Sequence, residues 1–121
     1  MMQTKAISLP FSVADTSAGP VIKWDNDRLT VEFTDYQETA CQISFDEVPH
    51  FEWLSDGELD PGIFPYDGVV EVIGSPLIDQ IVKAGGIAES WRGEYRHLVI
   101  GFNEVGSYLV IVCRRFEATA Q

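Results

Sequence analysis

Residues 108–113 read Tyr-Leu-Val-Ile-Val-Cys, an apolar run long enough for one strand. In an extended chain Leu109, Ile111 and Cys113 point one way, and Tyr108, Val110 and Val112 the other. A strand that is apolar on both faces has no wet side. It has to lie centrally in a sheet, with a layer packed on each side. One of those layers is legible. Ser75-Pro76 predicts a helix from 75 to about 84, because Ser75 can cap it, Pro76 suits its first position, and Gly85 or Gly86 can end it. Leu77, Ile78, Ile81 and Val82 then form one apolar stripe for the core. The layer on the opposite side must come from elsewhere in the chain or from a second subunit.

The remaining segments alternate as strands do. "KAISLPF" (5–11) reads as a short first strand, and "ADTSAGP" (14–20) as a mobile link. In "VIKWDNDRLTVEF" (21–33), Asp25, Asn26 and Asp27 supply a hairpin turn, and Leu29, Val31 and Phe33 share a face. Cys41, Ile43 and Phe45 share another, with Gln42 and Ser44 expected on the wet side. "HFEWL" (50–54) reads as a further strand, and "VVEVIG" (69–74) as a strand or the approach to the helix. "YRHLVIGF" (95–102) and "SYLVIVCRRF" (107–116) form a last hairpin. The expectation is a single α+β domain over 1–121, with 1–20 a partly flexible N-terminal segment. Its architecture would be one mostly antiparallel sheet of about six strands, made of a meander and hairpins, with one short helix packed on it.

Charge narrows the partners. Nineteen acids against eight bases give a formal net charge of −11. Twelve of the acids lie between residues 29 and 82, an interval without Lys or Arg; elsewhere seven acids face eight bases. Such a field repels nucleic acid and anionic membrane and attracts cationic surfaces. No apolar run approaches the ~20 residues of a membrane span, and the N-terminus has no secretory apolar region. A cytoplasmic location is expected, with Cys41 and Cys113 reduced and buried.

Few residues suggest catalysis. No phosphate loop, dinucleotide fingerprint, nucleophile elbow or zinc motif is present. His97 lies in a strand beside Tyr95 and Val99 and reads as structural; His50 reads as exposed. Asp56, Glu58, Asp60 and Asp67 fall at calcium-loop positions 1, 3, 5 and 12. However, Pro61 stands where such a loop needs Gly, and Asp67 where it needs Glu. No metal, no cofactor and no enzymatic activity are expected.

The segment "FEWLSDGELDPGIFPYDG" (51–68) combines rings with acids and has no base. Trp53, Phe64 and Tyr66 are candidate anchors, and Glu52, Asp56, Glu58, Asp60 and Asp67 candidate charges, for docking a basic protein surface. The same rings could instead be core, with Phe64 and Tyr66 filling space beneath the loop. At "CQISFDEVPHFEWLSDGEL" (41–59) and "YRHLVIGFNEVGSYLVIVC" (95–113) the chain resembles small bacterial α+β proteins of the polymorphic-toxin immunity type. That resemblance implies a non-catalytic acidic inhibitor that covers a basic toxin domain. Two alternatives are a small-molecule-binding or hydrolytic protein with a cleft between the sheet and the 51–68 loop, and a structural subunit that dimerises through the C-terminal strands.

Overall fold

A computed structural model of the chain describes residues 3–10, 20–34, 38–54, 64, 68–102 and 107–120. They form two antiparallel sheets. One contains β1 (Gln3–Ile7), β5 (His50–Leu54), β6 (Val69–Ile73), β7 (Arg96–Phe102) and β8 (Ser107–Cys113), in the order β1-β6-β7-β8-β5. The other contains β2 (Val21–Asp25), β3 (Arg28–Thr34), β4 (Ala40–Asp46) and β9 (Arg115–Ala120), in the order β2-β3-β4-β9. The expectation of one sheet of about six strands is corrected to a five-stranded sheet packed on a four-stranded one. The helix α1 (Pro76–Lys83) and a 3-10 turn at Glu89–Glu94 lie against the outer face of the larger sheet.

This arrangement supplies both layers that β8 demands. Leu109, Ile111 and Cys113 join Leu98, Ile100 and Phe102 of β7 and meet Leu29, Val31, Phe33, Cys41, Ile43 and Phe45 of the smaller sheet. On the other side, Tyr108 and Val110 pack with Phe64, Val70, Val72 and Val99, while Val112 lies under Ile78 and Ile87. All seven β8 residues are buried. Each large aliphatic side chain removed from water there contributes about 1.5–3 kcal/mol.

"SYLVIVCRRF" is two strands rather than one, because the chain changes sheets at Arg114. The β4–β5 segment changes sheets beside it. β4 pairs with β9 up to Asp46↔Arg115, and β5 pairs with β8 from His50↔Val112. Residues 47–49 therefore oppose only residues 113 and 114, the count of a β-bulge, which bends a two-stranded ribbon. Glu47 takes a left-handed backbone there (φ 53°), which costs about 1–2 kcal/mol for a residue with a Cβ. The corner is held by Arg114, whose amide donates to the Asp46 carbonyl (3.1 Å) and whose guanidinium reaches Glu47 (3.2 Å) and Glu94 (2.6 Å).

The β2–β3 turn is as predicted in kind. Asn26 and Asp27 both have positive φ (47° and 67°), the two-residue turn whose twist suits a hairpin. Ser75 caps α1 by accepting the Ile78 amide (3.2 Å), and Pro76 is the first helical residue. At the far end the Gly86 amide donates to the Ile81 carbonyl and the Gly85 amide to the Val82 carbonyl, with Gly85 at φ 85°. That pattern ends a helix and needs the glycine. Ser44, expected on the wet face, is buried and accepts from Gln42 Nε2 (3.1 Å). β7 and β8 are interior, so of the C-terminal strands β9 alone has a free edge among the described residues.

Candidate functional site

Aromatic rings collect where the β2 edge of one sheet lies beside the β5 edge of the other. In the β2–β3 register Trp24 sits opposite Leu29, on the face that turns toward the core. Because β2 is an edge strand, the ring reaches past the core and meets Phe51 of β5, with centroids 5.1 Å apart. Two residues along β5, Trp53 stacks on Phe102 at 5.8 Å, and Phe102 packs edge-on against Phe33. A line of rings thus runs from the core to the surface. Trp24, Phe51 and Trp53 remain 47%, 38% and 42% exposed, together on the order of 200–300 Å² of ring surface. That is comparable with the largest apolar patch of a typical monomer, which is often functional.

The candidate anchors and charges separate. Glu52 and Trp53 are both exposed on β5 but on opposite faces; Glu52 faces His50, 3.4 Å from its Nε2. Phe64 is only 5% exposed. It packs edge-on against Tyr108, and its carbonyl accepts the Tyr108 hydroxyl (2.5 Å). It is a core residue, as the alternative reading had it, and not an exposed anchor. Asp56, Glu58, Asp60, Tyr66 and Asp67, together with the calcium-loop pattern, lie outside the described residues. So does any cleft between the sheet and the 51–68 loop.

Trp24 and Phe51 form the ring pair at this edge, yet only Phe51 lies in the segment that stood out. Trp24 reads in sequence as an ordinary strand residue before a turn. Nothing local announces that a ring from a second sheet will meet it.

Two titratable groups, His97 and Cys113, are buried elsewhere in the larger sheet. Ser75 Oγ lies 2.7 Å from His97 Nδ1. The assignment that uses each group once has Oγ accept the Ile78 amide and donate its proton to Nδ1, leaving the ring proton on Nε2. This relay ties the start of α1 to β7. Burial, reinforced by His50, lowers the His97 pKa to about 4, so the ring is neutral and a poor base at pH 7. Burial likewise pushes the Cys113 thiol up to about 12, where almost no thiolate forms at neutral pH. Cys41 is buried and its thiol donates to the Thr39 carbonyl. Among the described residues no group of three or more His, Cys, Asp or Glu could hold a metal ion, and no helix is long and apolar enough to cross a membrane.

No family model, curated protein or solved structure matches the chain.

Proposed function

We propose that this protein is a non-enzymatic binding module that docks a basic protein through the β2/β5 edge and the acidic segment that follows β5 in the sequence. The observation that carries the reading is the trio Trp24, Phe51 and Trp53. These exposed rings come from both sheets, and none of the chain's own cations among the described residues stacks on them. Uncovered rings in a field of −11 suit Arg and Lys on a partner, which can stack on the ring faces while the acids steer the approach. The finer reading, an immunity-type inhibitor covering a basic toxin domain, draws on the resemblance at residues 41–59 and 95–113 and agrees with this charge.

The test is capture from the native host's lysate by the wild type, by the Trp24→Ala/Trp53→Ala variant, and by the Asp56→Lys/Glu58→Lys/Asp60→Lys variant. The wild type should retain a basic protein that the ring variant releases faster. The charge variant should bind it more slowly and with a flatter salt dependence. Equal retention by all three, with folding intact, would leave the acids as a solubility device and the rings as packing.

A further inference from the structure

β5 is paired with β8 along its whole length and, among the described residues, with nothing on its other side. Phe51 and Trp53 stand opposite Ile111 and Leu109, on the face that looks toward the smaller sheet. Yet no residue of β5 is buried, whereas all seven of β8 are. The difference is a missing neighbour: a strand's side chains are covered laterally by those of the strands on both sides, and β5 has one.

An edge strand presents a row of unpaired N–H and C=O groups, and proteins guard such rows with charge, Lys above all. Three of the four edges of the described sheets follow that rule: β1 carries Lys5, β2 Lys23 and β9 Arg115. β5 has no Lys, Arg or Pro. Its single carboxylate, Glu52, opposes an acidic strand, a second copy of this chain at −11 included, and favours a basic one.

We propose that β5 accepts an extended basic segment of the partner as a sixth strand of the larger sheet. This rests on the docking reading above and names what docks. Backbone hydrogen bonds to β5 hold the segment, and alternate side chains select it. Its residues opposite Phe51 and Trp53 are two apart and lie on the ring side, where Arg covers the exposed faces of Phe51, Trp53 and Trp24. The residue between them lies on the Glu52 side, where Lys reaches the carboxylate. The recognised pattern is therefore Arg-Lys-Arg in an extended segment.

A suitable probe is the capped peptide Thr-Val-Arg-Lys-Arg-Val-Thr, long enough to span β5. Titrated into the full-length protein and followed by amide NMR, it should slow hydrogen exchange at alternate β5 amides. Two N-methylated forms, each blocking the amides along one side of the peptide, separate backbone pairing from side-chain attraction. One should bind at least about tenfold more weakly and the other as the parent does, because only one side of an added strand faces β5. Glu52→Lys, which supplies the guard that the other edges have, should weaken binding by a similar factor. Glu52 is exposed, so the variant should keep its fold, which its unshifted core resonances would verify. No response of β5 to millimolar peptide would overturn the proposal, as would equal effects of the two methylated forms or unchanged binding by Glu52→Lys. If the methylated forms act alike while Trp53→Ala still weakens binding, strand addition fails and the docking edge stands. A dimer of the free protein with the same β5 amides protected would also overturn it, since a second copy would then occupy the edge.

Discussion

Two ends of this molecule treat their aromatic rings differently. At the corner where the chain changes sheets, Arg114 stacks over Trp91 at 4.5 Å, and Arg96 lies 4.9 Å from the Phe116 ring centre. The same guanidinium groups hold Glu47, Glu94 and Glu71. That end is internally complete: its rings have cations and its cations have acids. At the β2/β5 edge, Trp24 meets Phe51 and Trp53 stacks on Phe102, and among the described residues no cation lies over Trp24, Phe51 or Trp53. With eight bases against nineteen acids, the chain cannot cover every ring and carboxylate with its own cations. An uncovered ring on a chain of net charge −11 is where an outside cation gains most, because the ring face and the overall field attract the same group.

The comparison breaks if the edge rings prove as structural as the core rings. Phe102→Ala, at a fully buried position, should cost about 3–5 kcal/mol in denaturant unfolding. Trp24→Ala should cost far less, as nearly half of its surface is already in water. Equal losses would mean that the edge is simply the rim of the core.

The self-contained end can be tested through its least exposed charge. Arg96→Gln removes the close partner of Glu71, whose side chain is only 15% exposed, and leaves Lys5 at 3.9 Å as its remaining cation. A loss of about 2 kcal/mol is expected, below that of a fully buried pair because solvent still reaches the site. A neutral outcome would remove the claim that this end depends on its internal pairs.

Acid should act through His97. Its pKa is about 4 in the native protein against an ordinary 6.5. Below about pH 6.5 the unfolded chain takes up a proton that native His97 refuses. Stability therefore falls as pH drops toward 4, and this contribution levels off below it. About 2 kcal/mol is at stake after solvent screening. The difference between wild-type and His97→Gln unfolding profiles isolates this group from the carboxylates; parallel profiles would show that the ring is not buried as neutral imidazole.

The smallest effect belongs to the edge itself. Trp53→Ala should lower stability by about 1–2 kcal/mol, since its ring is partly exposed and stacks on Phe102 alone among the described rings. If Trp53→Ala binds the captured partner as the wild type does, the contrast between the two ends is one of composition and not of use.

Much of the local structure was legible in the sequence. The two apolar faces of residues 108–113 required a central strand with a layer on each side. Ser75, Pro76, Gly85 and Gly86 marked both ends of α1, and Asn26 and Asp27 marked a hairpin. These features depend on side-chain direction and backbone preference over a few residues, which the residues themselves carry. The division into two sheets was decided only in three dimensions. The bend at residues 47–49 and 114 arises because two distant strands share one ribbon with one residue too many on one side. Nothing in "FDEVPHF" or "VCRRFE" alone measures that mismatch. The site followed the same division. The acids and rings of 51–68 were conspicuous in sequence, but burial took Phe64 into the core and pairing across sheets brought Trp24 to Phe51. Composition tells how many rings and charges a chain has; which of them remain uncovered depends on which strands become neighbours.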